Sequence, residues 1–308
     1  MRVAVLAGGV GAARFLCGLV EAVDPREITA IGNVGDDLDV LGLSVSPDLD
    51  SVLYALAGLS DEERGWGRAD ETWNALATVS ELAGEDWFRL GDRDLGLHLV
   101  RTEALRRGEP LSTITARLAE AWRIGITLLP ATDDHLRTFV ETPEGRFSFQ
   151  EWFVARGHRD PVDGLDFAGS DAAKPAPGVL ESLAQADVIV IAPSNPFVSI
   201  GPILAVREVR EALQRRRVPA VAVSPLIGGR AVKGPAAEMM IRLAGGTAPA
   251  HVARCYEGLI DALVVDEADA GEPADTGVRT IVTRTLMDGP DGRLRVAEAA
   301  LEGAAALR

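Results

Sequence analysis

The feature that most constrains this chain is a buried strand that runs directly into a glycine-rich loop. Residues 2–7 form the predicted strand and are apolar after Arg2, and the run Gly8-Gly9-Val10-Gly11-Ala12 follows them without a break. Glycines let backbone N–H groups approach a phosphate closely, and the N-terminus of the next helix adds the positive end of its dipole. Strand, glycine turn and helix open many nucleotide-binding α/β folds, although a tight structural turn explains the same pattern.

An acidic loop follows the second predicted strand, residues 28–31. It contains Asp36 and Asp37, and two further carboxylates, Asp48 and Asp50, come shortly after it. Carboxylates repel phosphates unless a divalent cation lies between them, so the loop predicts a metal–phosphate site. Two narrower interpretations stay open, in which Asp36 holds a ribose 2′-hydroxyl, as in nicotinamide enzymes, and Asp48 is only a helix N-cap.

Alternating apolar strands and amphipathic helices predict an α/β fold with a Rossmann-like, mostly parallel sheet and an inserted helical subdomain. No repeat or linker divides the chain, so we expect one domain over residues 1–308 with a mainly helical insertion at about 60–125. The later strands are predicted at 127–130, 137–140, 146–154, 187–192, 218–223, 261–266 and 278–282. The helices after the glycine loop are predicted at 49–59, 71–83, 94–107, 112–122, 204–214 and 295–306.

Two of the late apolar strands also end in loop-forming residues. The segment Ser194-Asn195-Pro196 follows the strand at 187–192, and the segment 224–230 follows the strand at 218–223. In open α/β sheets, ligands bind at the carboxyl ends of the strands. We therefore expect these two loops, the glycine loop and the acidic loop to converge on one crevice.

Charge and composition exclude several classes of function. The formal net charge is −15, which argues against nucleic-acid binding because that affinity comes from neutralising phosphates with Lys and Arg. No apolar run approaches the roughly 20 residues of a membrane helix, and no signal peptide is visible. Cys17 and Cys255 lack metal-ligand spacing, so we expect free thiols and a cytoplasmic location.

Several short motifs occur in a characteristic order and spacing. They are Gly8-Gly9-Val10-Gly11-Ala12-Ala13-Arg14, Asn33-Val34-Gly35-Asp36-Asp37, Pro47-Asp48-Leu49-Asp50, Leu90-Gly91-Asp92-Arg93-Asp94, Leu129-Pro130-Ala131-Thr132-Asp133, Ala192-Pro193-Ser194-Asn195-Pro196 and Ser224-Pro225-Leu226-Ile227-Gly228. Together they resemble the 2-phospho-L-lactate transferase family of coenzyme F420 biosynthesis over residue 1 to about 240. The chain departs from the family pattern at Ala12, where a glycine is common, and at Ala231, where a proline is common.

The resemblance implies a Mg²⁺-dependent transferase that acts on two small molecules. The acceptor is the deazaflavin alcohol Fo, whose terminal ribityl hydroxyl attacks the phosphorus of a guanosine diphosphate ester carrying lactate or enolpyruvate. GMP leaves, and the product is coenzyme F420-0 or its dehydro form. The resemblance further implies a homodimer and an acceptor site formed in part by the helical insertion, where tryptophans would hold the flat ring.

The acidic loop and the resemblance together make Asp37 and Asp50 the expected catalytic residues and Mg²⁺ ligands. One carboxylate would also take the proton from the attacking hydroxyl. His98 lies on an apolar helical face and is expected to be a packed histidine. The residues expected to bind the substrates are Gly8, Gly9, Gly11, Ala12, Asn33, Asp36, Asp48, Arg64, Trp66, Asp92, Arg93, Thr132, Ser194, Asn195, Pro196, Ser224, Gly228 and Lys233.

Two other function classes remain open at this point. One is a nicotinamide-dependent oxidoreductase, and the other is a non-catalytic nucleotide-sugar-binding regulator of the same superfamily, against which the tryptophan-rich insertion argues.

Of the 31 basic residues only Lys174 and Lys233 are lysines, a bias typical of a GC-rich bacterial genome. Because bacterial members of the family are associated with the enolpyruvyl donor, we expect that donor here.

Overall fold

The structure is a computed structural model that describes residues 1–84, 86–271 and 277–307. Its strands are β1 (Val3–Ala7), β2 (Ile28–Gly32), β3 (Leu38–Val40), β4 (Leu43–Val45), β5 (Thr127–Pro130), β6 (Arg137–Thr142), β7 (Gly145–Ser148), β8 (Gly164–Ala168), β9 (Val188–Ile191), β10 (Ala220–Val223), β11 (Leu226–Ile227), β12 (Arg230–Ala231), β13 (Ala262–Asp266) and β14 (Arg279–Thr283). Its α-helices are α1 (Gly9–Ala22), α2 (Pro47–Leu56), α3 (Asn74–Ala83), α4 (Asp92–Arg106), α5 (Leu111–Ala121), α6 (Val179–Gln185), α7 (Gly201–Ala205), α8 (Arg207–Gln214), α9 (Ala236–Met239), α10 (Pro249–Cys255) and α11 (Gly289–Ala305).

Seven strands form the central sheet in the order β14-β13-β10-β9-β1-β2-β5. Every neighbouring pair in it is parallel, which confirms the predicted α/β fold class. The strands β1, β9, β10 and β13 are buried at every position, as expected when helices cover both faces of a parallel sheet. Helix α1 packs against both α2 and α11.

The sheet order reverses direction between β1 and β9. From β1 the chain adds β2 and β5 on one side, and it later places β9, β10, β13 and β14 on the other side. The connections that leave β1 and β9 therefore diverge, which opens a crevice at the carboxyl ends of these two strands. In doubly wound sheets this switch point is where ligands bind.

A second, antiparallel sheet with the order β7-β6-β8 lies beside the central one. The predicted strand at 146–154 is wrong in its second half, because β7 ends at Ser148 and a π-helical turn, Glu151–Ala155, follows it. Trp152 in this turn is 1% exposed and belongs to a small apolar core with Val140 and Val198. Strand β8 was not predicted, since it is only partly buried and shows little apolar alternation.

Tertiary contacts also set several helix boundaries. Helix α2 starts at Pro47 with Ser46 as its N-cap, so Asp48 lies in the first turn and the N-cap interpretation of Asp48 is wrong. Helix α3 starts at Asn74 because the Asp92 carboxylate accepts the N–H groups of Asn74 and Ala75. The helix predicted at 204–214 is divided between α7 and α8 by the extended backbone of Val206.

Helices α3, α4 and α5 occupy much of the range in which the insertion was predicted, and α4 packs against β4 and α5. Within the three described ranges, no helix combines the length and apolar character needed to cross a membrane.

Candidate functional site

A cavity of about 750 Å³ lies at the switch point of the sheet. Its walls include the loops after β1, β2, β9 and β10, as the strand topology predicts, together with parts of α2 and α4. Further segments contribute, namely residues 65–67, 87–90, 149–158, 232–236 and 285–287. Of the residues expected to bind substrates or metal, the cavity is lined by Gly8, Gly9, Gly11, Asp36, Asp48, Asp50, Trp66, Ser194, Asn195, Ser224 and Lys233.

Two glycines of the first loop are required by the packing of the protein itself. A Cβ at Gly11 would lie 2.2 Å from the Pro193 carbonyl oxygen, and a Cβ at Gly8 would lie 2.7 Å from the Ser199 Cβ. The loop therefore packs directly against the loop after β9. Ala12 is fully buried in α1 and does not reach the cavity, so its replacement of a glycine leaves the cavity wall unchanged.

Asn33, at the end of β2, joins the carboxylates of two different segments. Its Nδ2 donates to Asp36, to Asp48 Oδ2 at 2.9 Å and to the Val198 carbonyl at 3.2 Å. Its Oδ1 accepts the Gly35 N–H at 2.7 Å. Asn33 is fully buried and outside the cavity lining, so it positions the acidic residues from behind.

Asp36 and Asp48 face the cavity without a cationic partner. Across the described ranges, no Lys, Arg or His side chain lies within ion-pair distance of either carboxylate. Burial and the charge of Asp48 raise the pKa of Asp36 well above its ordinary range. Burial raises the pKa of Asp48 to about 6, against the opposing effect of its hydrogen bonds from Asn33 and the Gly9 N–H. A proton or a cation would stabilise this pair.

Asp50 is held in a different way, by a buried arginine from α4. The Arg101 guanidinium donates to both Asp50 oxygens, with 3.0 Å between Nη1 and Oδ2, and Arg101 is 1% exposed. Nη1 also lies 3.3 Å from His98 Nδ1. Because arginine can only donate, Nδ1 accepts and the proton of the neutral imidazole lies on Nε2. Burial lowers the pKa of His98 to about 4, consistent with that neutral form.

The same network extends through His98 to a fourth cavity-lining carboxyl, Asp94. His98 Nε2 lies 4.0 Å from Asp94 Oδ1, and the Tyr54 hydroxyl donates to the same oxygen. Burial raises the pKa of Asp94 to about 6. The expectation that His98 is a packed histidine agrees with its 2% exposure, although its ring also borders the cavity.

Asp37 lies behind the lining, and one of its oxygens lacks a partner. Ser46 Oγ donates to Oδ2 at 2.8 Å, whereas the buried Oδ1 has no hydrogen-bond partner. Burial raises the pKa of Asp37 to about 7, against the opposing charges of Arg137 and Arg101. An orphaned carboxylate oxygen in an acidic cluster fits a bound cation.

The carboxylate ligands available here suit magnesium better than a metal ion whose ligands all come from the protein. In the part of the chain that the structure describes, no three Asp, Glu, His or Cys side chains form a metal-binding group. Mg²⁺ is usually held by one or two carboxylates, and it takes its other ligands from water and substrate phosphates. Two carboxylates of this cluster would therefore be enough.

The loops after β9 and β10 are shaped largely by their own hydrogen bonds. Ser194 Oγ donates to the Gly8 carbonyl at 2.8 Å, which ties the two loops of the crevice together. Asn195 Oδ1 accepts the Phe197 N–H at 2.9 Å and so caps the π-helical turn that starts at Pro196. The Gly228 N–H donates to Asp269 at 2.9 Å, so in this structure it is not directed at a ligand.

One side of the cavity is an aromatic surface from the predicted insertion, which we call the insertion wall (Trp66, Trp87, Phe88 and Leu90). Trp66 is 43% exposed, and the Arg64 guanidinium lies 5.1 Å from its ring centroid. Lys233 Nζ donates to the Arg64 carbonyl at 3.1 Å, which links this wall to the loop after β12.

Three more residues expected at the substrate site are absent from the cavity wall, in addition to Ala12, Asn33, Arg64, Pro196 and Gly228. Asp92 caps α3, and hydrogen bonds from Thr72 and from α3 hold its pKa below its ordinary value. Arg93 is exposed beside Asp70, with 4.0 Å between Nη1 and Oδ2. Thr132 is fully buried and accepts the Asp134 N–H at 3.0 Å.

Sequence reasoning missed two groups of cavity residues. The first is the Arg101–Asp50 pair with its neighbours His98, Asp94 and Tyr54; the repeat of Asp94, His98 and Arg101 on one helical face was its available signal. The second is the 149–158 wall (Phe149, Gln150, Phe153, Gly157 and His158), of which only residues 149–154 fall within a predicted strand.

Known proteins are similar to this chain over nearly its whole length. The family model described as 2-phospho-L-lactate transferase CofD matches residues 3–279. Three proteins named phosphoenolpyruvate transferase are similar along nearly their whole length. The Streptomyces griseus protein is 44% identical with 100% of both chains covered, the Kitasatospora aureofaciens protein 46% with 93% and 91% covered, and the Thermobifida fusca protein 43% with 100% and 99% covered.

Solved structures show the same fold. A crystal structure of a Bacillus halodurans protein matches with a TM-score of 0.65 at 19% identity, covering 97% of this chain and 99% of that chain. Another structure, described as a member of the UPF0052 family from the same organism, matches with a TM-score of 0.63 at 19% identity, covering 98% and 100% of the two chains.

Proposed function

The chain belongs to the 2-phospho-L-lactate transferase CofD family, and on that premise we propose that it transfers a phosphoenolpyruvyl group to the deazaflavin alcohol Fo. The donor is a guanosine diphosphate ester, GMP is released, and the product is dehydro-F420-0. The three relatives at 43–46% identity, all named phosphoenolpyruvate transferase, support the enolpyruvyl donor over the lactyl donor.

The observation that carries the proposal is the acidic cluster at the switch point. Asp36, Asp48 and Asp50 line the cavity together with the glycine loop that begins α1, and Asp37 lies behind them. Arg101 is the one guanidinium within ion-pair distance of any of the four carboxylates in the described ranges. Four clustered carboxylates with one guanidinium among them are destabilising unless a cation or protons compensate their charge. Phosphoryl transfer needs this combination, because its catalysis consists of positioning and charge stabilisation.

Asp37 and Asp50 are the Mg²⁺ ligands in this proposal. Asp37 has the unpartnered oxygen, and Arg101 holds the Asp50 carboxylate in a fixed orientation at the cavity surface. When bound, Mg²⁺ would neutralise the phosphate charge that builds up during transfer.

The other residues bind and orient the two substrates. Backbone N–H groups of the glycine loop and the ammonium group of Lys233 would contact the phosphates. The insertion wall would hold the flat deazaflavin ring. The carboxylate of Asp36 or Asp48 would accept the proton of the attacking ribityl hydroxyl, since both face the cavity and both bind protons readily.

Incubation of the full chain with Fo, Mg²⁺ and each synthetic donor tests the proposal by product mass. We expect dehydro-F420-0 and GMP from the enolpyruvyl donor, and no product in excess EDTA. When both donors are present together, a product that is mainly heavier by two hydrogens would show use of the lactyl donor and overturn the donor assignment. Failure to consume Fo with either donor would overturn the reaction.

Two rival functions have their own measurements. Binding of NAD(P)H would favour an oxidoreductase, and binding of a uridine nucleotide sugar without consumption of Fo would favour a regulator. The homodimer and the cytoplasmic location remain predictions, which light scattering and cell fractionation would test.

A further inference from the structure

Arg14 ends the glycine motif of the sequence and has no role in the proposed reaction as described so far. It lies on α1, is partly buried and lines the cavity. Its guanidinium forms no hydrogen bond or ion pair with any residue that the structure describes. The hydrogen bond and charge of Arg293, and to a smaller extent the charge of Arg14, lower the pKa of Glu62, but that carboxylate is bonded to Arg293 at 2.5 Å. Arg14 is therefore a cation of the cavity wall that lacks an anion.

A second cation, Lys233, lies beside Arg14. Gly65 has a φ of +72°, and a Cβ placed on it would lie 1.9 Å from Lys233 Nζ and 3.9 Å from an Arg14 guanidinium nitrogen. Lys233 Nζ donates to the Arg64 carbonyl, and in the described ranges no carboxylate pairs with it. Two neighbouring positive charges repel each other unless anions lie against them. The cavity wall thus holds a pair of cations that a ligand with two adjacent anionic groups would stabilise.

The three-carbon acid of the donor has this arrangement of charge. In both the lactyl and the enolpyruvyl donor, the carboxylate and the phosphate oxygen are attached to the same carbon atom. The proposed function gives the phosphates their partners and leaves the carboxylate without one. Arg14 is five residues beyond Gly9, the first residue of α1, which is about 7.5 Å along the helix axis. Because helical side chains lean toward the N-terminus, its guanidinium is directed back toward the glycine loop.

We propose that Arg14 is a specificity-determining residue that binds the carboxylate of the three-carbon acid, while Lys233 contacts the adjacent phosphate. The planar guanidinium donates two parallel hydrogen bonds to the two carboxylate oxygens, a geometry that the ammonium group of a lysine does not offer. The carboxylate keeps its charge throughout the transfer, so Arg14 acts on donor binding and leaves the chemical step unchanged. This assignment rests on the proposed function for the identity of the donor.

Calorimetric titration with three ligands separates the carboxylate from the rest of the donor. The ligands are the enolpyruvyl donor, the methyl ester of the same donor, and GDP, which lacks the acid altogether. Arg14→Gln removes the charge, so we expect about 10- to 100-fold weaker binding of the free-acid donor, the range for a hydrogen bond to a charged group. The affinities for the ester and for GDP should change much less. In turnover with Fo, the donor KM should rise and kcat should stay the same.

Two further variants serve as references. Arg14→Lys keeps the charge without the planar fork and should recover part of the lost affinity. Arg26→Gln is the matched control, because Arg26 is an exposed arginine that pairs with Asp24 and does not line the cavity. It should bind all three ligands like the wild type, and thermal melting should show that every variant is folded.

Three results would overturn the proposal. They are a wild type that does not prefer the free acid to the ester, an Arg14→Gln variant that binds the free-acid donor normally, and a loss of GDP or ester affinity as large as the loss for the free acid. The last result would place Arg14 on the phosphates. Donor binding that depends on both Arg14 and the free carboxylate, in a protein that does not convert Fo, would overturn the proposed reaction and leave this assignment standing.

Discussion

Asp50 and its three acidic neighbours lie in the same cluster but in opposite electrostatic surroundings. Asp50 has a buried guanidinium bonded to both oxygens. Among the described residues, Asp36, Asp37 and Asp48 have only amide, hydroxyl and backbone hydrogen-bond partners, and burial raises the pKa of each. The protein thus provides a cationic partner for one carboxylate by itself and leaves the other three to a proton or a ligand. A buried charge left uncompensated in this way is typical of a functional site.

The largest expected effect on stability comes from removing Arg101, the guanidinium that compensates the Asp50 carboxylate. Arg101→Leu leaves Asp50 buried and unpaired, so we expect the free energy of unfolding to fall by about 3–5 kcal/mol. Urea unfolding would measure this change. Arg106→Leu, an exposed arginine on the same helix that donates to the Gly42 carbonyl, should change stability by less than about 0.5 kcal/mol. Equal losses in the two variants would mean that the Asp50 pair contributes no special stability.

Removing a carboxylate that has no cationic partner should lower activity and leave stability unchanged. In Asp37→Asn the amide oxygen still accepts from Ser46, and a buried charge disappears, so stability should not fall. Transferase kcat/KM should nevertheless drop by about 10²–10³, as expected for the loss of a preorganised charged group. Asp39→Asn, at an exposed position outside the cavity, serves as the control. An Asp37→Asn enzyme with full activity that still requires Mg²⁺ would remove Asp37 from the metal site.

Asp94 is an intermediate case, with a tyrosine hydroxyl and no ion-paired arginine. Its pKa rises from 3.8 to about 6, so the folded protein holds the proton more tightly than the unfolded chain. Its contribution to the free energy of unfolding is therefore complete below about pH 4 and is lost as the pH rises through 6. At about 1.4 kcal/mol for each pKa unit, the stability difference between wild type and Asp94→Asn should change by roughly 2–3 kcal/mol between pH 4 and pH 7.

Unfolding measured at several pH values in both proteins isolates this effect. His98, whose pKa burial lowers to about 4, titrates in the opposite direction but is present in both chains. Identical pH profiles would show that Asp94 keeps its ordinary pKa.

The smallest expected effect is stabilisation by Mg²⁺ itself. At ten times its Kd, a ligand that binds only the folded state adds about 1.4 kcal/mol, which thermal melting would detect as a higher Tm. Asp37→Asn should lose most of this increase, and Asp39→Asn should keep it. A Tm that Mg²⁺ does not change in the wild type would argue that the metal binds only with the nucleotide.

The sequence predicted the fold class and the convergence of the four loops on one crevice, but not which motif residues line the cavity. Asp36, Asp48 and Asp50 were expected at a crevice and do line the cavity, whereas Asp92 and Thr132 belong to motifs of the family but cap a helix and a turn. The difference arises because a motif identifies residues near a site without saying which way their side chains point.

The sequence by itself determined the parallel sheet and the edge at which the loops converge. Apolar runs such as β1 and β9 encode burial on both faces locally, and the carboxyl ends of parallel strands necessarily share one edge. Only the tertiary structure determined which residues contact one another around the cavity. Arg101 reaches Asp50 across 51 residues, and the Pro193 carbonyl makes Gly11 obligatory from the far side of the crevice. Such contacts depend on the packing of segments distant along the chain, which no local pattern records.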